Sequence, residues 1–332
     1  MKLDALGNIY LTGQTSSFGP GTFNMFILKY NNAGVKQWNY TWGHTVGSVP
    51  SANGNDLIIQ DSNYFYVVGS TNKNGNYDIL VVKYDINGNE QWNYTWGGSE
   101  SEYGYGITID SNNDLFVVGA TKSYGAGERD LLLLKIASVS PSYKDHETWG
   151  GAADDSGSAI LNVADELYIA GKTESYGAGG SDVALLKYDR NLNQQWAKTY
   201  GDTGNSNESA TDLAYYNGSL LVVGNVELTD ILLVQFNING DYISQTKWFT
   251  TGDELAYRLT IDAAGNIYVI GTTDGLADPL SDIILLKFTT DYPAVSTPGI
   301  PAFEFEILVL VVLMPIIVLF YLRKSIKPFE IK

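Results

Sequence analysis

The residues in this chain that could do chemistry are carboxylates, and they recur. Glu102, Asp155, Glu208 and Glu254 each stand five places before the first apolar residue of a short run (Ile107, Ile160, Leu213, Leu259), with Gly104, Gly157, Ala210 and Ala256 between. Ala52 takes the acid's place in the first copy. Carboxylates at equivalent points of a ring would line a central channel and could hold a hard cation such as Ca2+. The competing reading is that each acid accepts N–H bonds within its own loop. A second set, Asp78, Asp130, Asp182, Asp230 and Asp282, opens another apolar run, with Asn24 in the first copy. These read as structural, each tying a loop to its strand, with Lys29, Lys83, Lys135, Lys187 and Lys287 either their partners or solvent-facing.

Other chemistries find little support. His44 and His146 lie outside any metal-ligand spacing, and there is no cysteine, so thiolate sites and disulfides are excluded. Asp110-x-Asn112-x-Asp114 begins like a calcium loop but lacks the Gly and Glu that should follow, and reads as a turn. No G-x-S-x-G or H-E-x-x-H occurs, and Ser123 to Gly127 lacks the Lys and helix of a phosphate loop. We therefore assign no catalytic residue and no cofactor beyond the Ca2+ alternative. Sequons at Asn39, Asn93, Asn207 and Asn217 are glycosylation candidates.

These residues must be positioned by a repeat of about 50 residues, the period of a propeller blade. A Gly closes one apolar run at Gly13, Gly69, Gly119, Gly171, Gly224 and Gly271, and another ends an aromatic run at Gly43, Gly97, Gly150, Gly201 and Gly252. Each copy reads as four strands: a short first strand such as Gly106 to Ile109, a second closed by Gly, a third that is apolar on both faces, and an aromatic fourth. A strand apolar on both faces must lie between layers. The third and fourth strands are joined by a hairpin, D-I-N-G-N at Asp85 to Asn89. All seven tryptophans fall in fourth strands, where Trp92, Tyr94 and Trp96 share one side. Packing between blades is the plain reading of that stripe, and a sugar-stacking platform is the alternative. The expected fold is all-β, a propeller of about six four-stranded blades with incomplete end blades.

Four segments are expected: the propeller at 1–290, a Pro/Ser/Thr linker at 291–302, a transmembrane helix at 303–322 and a short basic tail at 323–332. Ile307 to Leu322 is unbroken apolar sequence, and twenty helical residues span about 30 Å, the thickness of a bilayer core. Arg323, Lys324 and Lys327 follow it and Glu304 and Glu306 precede it, which places the C-terminus in the cytoplasm and the propeller outside. Only Met1 to Leu3 stand where the first copy should have a strand, and no signal peptide precedes them, so the chain is expected to begin inside a longer protein. The net charge of −17 disfavours nucleic acid as a partner.

The runs Gly265 to Gly271 (G-N-I-Y-V-I-G), Asp182 to Asp189 (D-V-A-L-L-K-Y-D) and Thr95 to Gly98 (T-W-G-G) resemble the SBBP family of β-propeller repeats, common on prokaryotic surfaces, over about residues 4–290. The tail resembles archaeal C-terminal sorting segments of the PGF-CTERM kind, from which it departs at Pro298-Gly299-Ile300. Cleavage with lipid transfer and a retained helix are both open. These features point to a cell-surface, single-pass membrane protein that binds a surface protein or a glycan, or builds the envelope, without catalysis. The alternative is a propeller enzyme of glycosidase or lyase type using carboxylates at the channel mouth.

Overall fold

The computed structural model describes residues 1–19, 22–43, 51–73, 75–202, 204, 206–274, 282–289, 304–313 and 316–324, giving the backbone alone for 289, 304–313 and 316–324. The expected linker at 291–302 and most of the basic tail lie outside these residues. The chain forms two compact units: Met1–Ile169, Thr173–Tyr176 and Lys187–Gln195 in one, and Ala170–Lys172, Gly177–Leu186 and Trp196–Lys332 in the other.

Among the described residues the strands make six sheets, five of four strands and the last of five, each ordered as the chain runs. This is a six-bladed, all-β propeller. The first blade's inner strand is only Lys2–Leu3, as expected from the truncated first repeat. The other inner strands start earlier than expected, at the acids themselves: Ala52–Ile59, Glu102–Ile109, Asp155–Val163, Glu208–Tyr216 and Glu254–Ile261.

A bulge permits the longer strand. Pairing of the inner with the second strand slips by one residue between Gly54 and Asp56, between Gly104 and Gly106, between Ala210 and Asp212, and between Ala256 and Arg258. The extra residue bends the inner strand toward its neighbour, and the neighbour answers with the recurring glycine. A Cβ on Gly119 would lie 1.7 Å from the Tyr103 carbonyl oxygen, and on Gly69 or Gly224 it would lie 1.8 Å from the oxygen of Asn53 or Ser209. Space, not turn geometry, makes this glycine recur.

The third strands are buried on both faces, and alternate side chains serve different cores. From Asp78–Asp85, Leu80, Val82 and Tyr84 join Tyr10, Met25 and Ile27 of the first blade, whereas Ile79 and Val81 join Ile107, Leu115 and Leu132 of the third. In the second unit Ile231, Leu233 and Trp248 of the fifth blade pack with Val269, Ile284 and Phe288 of the sixth. Each such side chain contributes about 1.5–3 kcal/mol by leaving water. The aromatic stripe joins these cores: Trp38 and Trp42 pack on one, and Trp92, Tyr94 and Trp96 on the next.

The helix expected at 303–322 is not what the structure shows. Glu304–Leu313 pairs with Asp282–Thr289 as the fourth strand of the sixth blade, and Ile316–Lys324 pairs beside it as a fifth. The sixth blade thus has the outer strand that the repeat pattern lacked. An apolar run without periodicity suits helix or buried strand equally. Its Ile, Val and Phe residues favour the pleat, and the third strand's edge offers unpaired N–H and C=O groups. Among the described residues no helix is long and apolar enough to cross a membrane.

Gly119→Ala is expected to lower unfolding free energy by about 1–3 kcal/mol through overpacking, read from urea denaturation. Gly204→Ala, where among the described residues a Cβ meets only the Ser206 nitrogen at 4.0 Å, should stay within about 0.5 kcal/mol of the parent.

Candidate functional site

The acids sit at the junctions between blades, and one backbone bond sets them there. The amide of the inner strand's first residue donates to the carbonyl just ahead of the preceding blade's third strand. Ala52 thus bonds Phe23 at 3.0 Å, Glu102 Tyr77 at 2.7 Å, Asp155 Arg129 at 2.8 Å, Glu208 Ser181 at 2.7 Å and Glu254 Thr229 at 2.9 Å. The residue before each acid accepts from its own blade, as Ser101 does from the Lys122 amide at 3.1 Å. The side chains at the acid positions are therefore delivered inward, and all four acids are buried.

Inside, each acid closes its own loop. Glu102 Oε2 accepts the Gly98 amide at 2.7 Å, while Oε1 accepts the Thr121 hydroxyl at 2.9 Å and the Ser123 amide at 3.1 Å. Asp155 Oδ2 accepts the Gly151 amide at 2.9 Å and the Ser175 hydroxyl at 2.6 Å. Glu254 Oε2 accepts the Thr250 amide at 2.8 Å, and Oε1 accepts the hydroxyls of Thr250 and, at 2.9 Å, Thr273. Glu208 Oε1 accepts the Ser206 hydroxyl at 2.7 Å. Among the described residues no three of His, Asp and Glu come close enough to hold one ion.

The third-strand aspartates meet the acids at the repeated glycine. A Cβ on Gly97 would lie 2.1 Å from Asp78 Oδ1 and 2.7 Å from Glu102 Oε2. On Gly150 it would lie 2.3 Å from Asp130 Oδ1 and 2.6 Å from Asp155 Oδ2. Two carboxylates thus flank one glycine. Asp130 Oδ2 also accepts the amides of Ala126 and Gly127 at 2.9 and 3.3 Å, and Asp182 Oδ2 that of Ala178 at 3.1 Å. Asp230 and Asp282 are only half-buried. Burial pushes the carboxyls of Asp130, Asp182 and Glu208 above their ordinary values; the neighbouring Asp155 adds to the rise at Asp130 and Asp202 to that at Glu208.

The lysines are not partners of these aspartates. Lys29, Lys83, Lys135, Lys187 and Lys287 lie over the rings of Tyr10, Tyr64, Phe116, Tyr168 and Tyr268, 4.2–5.8 Å from the centroids. They stand five residues along the strand from the aspartates, near its other end. Asp110 forms the turn read from its sequence, its Oδ1 accepting the amides of Asn112 and Asp114 at 2.9 and 2.7 Å.

Sequence counting misplaced one glycine. Trp248 pairs with Ile231 as Trp96 pairs with Ile79, so Phe249, not Gly252, stands where Gly97 stands. The Gly-rich loop after the second strand has a structural role that its mismatch to a phosphate loop does not reveal. Its signal is the string T-x-S-Y-G-A-G, present at Thr121 and again at Thr173. Gly125 and Gly177 adopt φ of +103° and +113° there, folding the loop over Asp130 and Asp182.

The same loop contributes to an aromatic cluster. Trp96 lies 5.2 Å from both Tyr124 and His146, and stacks on Tyr143 at 6.4 Å and 15°. The Tyr143 hydroxyl is 2.8 Å from His146 Nδ1. Tyr124 and Tyr143 are 37% and 44% exposed, so the cluster is open to a ligand. Of the sequon residues, Asn39, Asn93, Asn207 and Asn217 are all exposed, and the Asn207 side-chain amide is engaged by Glu227 at 3.1 Å. His44 lies outside the described residues.

Glu102→Ala strands the Gly98 amide and the Thr121 hydroxyl proton and leaves the Ser123 amide only its 3.1 Å bond to Thr121 Oγ1, and should cost about 2–4 kcal/mol in urea unfolding. Asp130→Asn separates charge from shape. Because the raised Asp130 carboxyl binds its proton more tightly when folded, stability should grow as pH falls from above that raised value toward the ordinary 3.8. Asn keeps an acceptor and has no charge to bury. The melting advantage of Asp130→Asn over the parent should therefore be largest at pH 7.5 and shrink by pH 4.5; parallel curves contradict the assignment.

No protein-family model and no curated protein matches this chain. Many solved structures resemble it, two of which illustrate the likeness. One is a protein of unknown function from Bacteroides caccae, 11% identical with a TM-score of 0.50 over 78% of this chain and 81% of that one. The other is the Trypanosoma rangeli sialidase, 11% identical with a TM-score of 0.50 over 84% of this chain and 51% of that one. At such identity the likeness concerns the fold, and it agrees with a six-bladed β-propeller.

Proposed function

We propose that this chain is a cell-surface propeller, held at the membrane by residues 303–322, that binds a glycan or surface protein without catalysing a reaction. The observation that carries the reading is a division between buried and exposed chemistry. The inner-strand carboxylates that hydrolysis would need are buried at junctions, three of the four accepting an amide of their own loop, whereas Trp96, Tyr124, Tyr143 and His146 gather at the surface. Aromatic faces flanked by hydroxyl and imidazole groups suit the apolar face and ring hydroxyls of a sugar. Resemblance of the repeats to the SBBP type and of the tail to archaeal sorting segments accords with a surface role.

Membrane attachment rests on the apolar run and its flanking charges. In a bilayer the backbone of 303–322 would satisfy itself as a helix rather than on the edge of the sixth blade.

Two experiments test this. The chain has no cysteine, so single cysteines at Ser99 and Ser325 report topology cleanly. In intact cells an impermeant maleimide should label Ser99→Cys, and Ser325→Cys only after permeabilisation; the reverse pattern, or release of the chain by a high-salt wash, contradicts it. On a glycan array the chain should bind without releasing product, and Tyr124→Ala should weaken binding about tenfold, roughly 1.4 kcal/mol. Turnover of any bound glycan would favour the enzyme reading instead.

A further inference from the structure

One junction acid is treated differently by the fold. Glu102 Oε2, Asp155 Oδ2 and Glu254 Oε2 each accept the amide of the residue four places earlier, at 2.7, 2.9 and 2.8 Å. Glu208 has no such bond, and its Oε2 is buried with no hydrogen-bond partner. The cause is loop length. Seven positions separate Gly201 from Glu208, against five from Gly97 to Glu102 and from Gly150 to Asp155. No N–H of a described loop residue reaches Glu208 Oε2.

The orphaned oxygen shares its surroundings with a second carboxylate. A Cβ on Gly201 would lie 1.9 Å from Asp182 Oδ1 and 3.0 Å from Glu208 Oε2, so both oxygens face the same small volume. Asp182 and Glu208 are 2% and 1% exposed. Asp202 adds negative charge nearby, and the cation beside it, Lys247, pairs with Asp202 itself at 2.8 Å. Two ionised carboxylates buried in this way need a positive charge between them. At the Gly97 and Gly150 junctions the oxygen facing the glycine already accepts an amide. Asp155 Oδ1 is also buried without a partner, but it is Oδ2 that lies beside Gly150 and Asp130.

We propose that Asp182 and Glu208, beneath Gly201, form a site for a single calcium ion, with water and backbone oxygens completing its shell. An all-oxygen, irregular donor set suits Ca2+, which accepts six to eight ligands flexibly, better than Mg2+, which demands a near-ideal octahedron. The first blade shows the neutral version of the same junction, Asn24 with Ala52, which has no pair of charges to offset.

The test is titration of the full chain in detergent with CaCl2 by calorimetry, with melting followed in parallel and MgCl2 as control. One calcium per chain and a raised melting temperature are expected. Glu208→Gln and Asp182→Asn should each weaken binding at least tenfold, while Glu102→Gln should leave it unchanged. Asn already stands at the Asp182 position in the first blade, so Asp182→Asn remains a usable variant if Glu208→Gln does not fold. Absence of binding to the parent chain, or undiminished affinity in a folded Asp182→Asn or Glu208→Gln variant, overturns the proposal. A Glu208→Gln chain that melts higher than its parent, with no calcium response in either, identifies a shared proton and likewise overturns it.

Discussion

A backbone hydrogen bond, repeated at five junctions, sets the geometry on which the rest of this structure depends. The amide at the start of each inner strand, from Ala52 to Glu254, donates to the preceding blade just ahead of its third strand. That bond fixes where the inner strand begins and turns its first side chain inward. The bulge that follows then brings the strand so close to its neighbour that only glycine fits at positions such as Gly69, Gly119 and Gly224. Local pairing, a missing side chain and the two-sided cores of the third strands are thus consequences of one register.

The same constraint produces the chain's main electrostatic liability. Acid and third-strand aspartate are brought together around a glycine and away from water, which raises the carboxyls of Asp130, Asp182 and Glu208. The fold offsets this with amides from adjacent loops, each directed at one carboxylate oxygen. Where a loop lengthens, as before Glu208, an oxygen is left over; where Phe249 replaces the glycine, Asp230 is no longer fully enclosed. Turn aspartates act in the opposite sense. Asp85, Asp189 and Asp262, held by several amides and an asparagine, titrate below the ordinary value and favour folding at neutral pH.

Much of the architecture was legible because it is local. Six repeats, the D-I-N-G-N hairpin at Asp85 to Asn89 and the tryptophan-bearing outer strands follow from residue types at short spacing. Loop-length variation defeated simple counting, so Gly252 was read in place of Phe249, and only cross-strand pairing restores the register. The meeting of Asp78 with Glu102 was not legible, since those residues lie a half-repeat apart and come together through the junction bond. Nor could hydropathy decide between helix and strand for 303–322, because a continuous apolar run carries no period.

The central claim, that the junction amides hold the blades in register, is tested most directly by native-state hydrogen exchange resolved at single amides. The amides of Ala52, Glu102, Asp155, Glu208 and Glu254 should exchange as slowly as those in the middle of third strands, such as Leu132, and through the same global opening. Exchange at loop rates at these five positions, beside protected third strands, would contradict it.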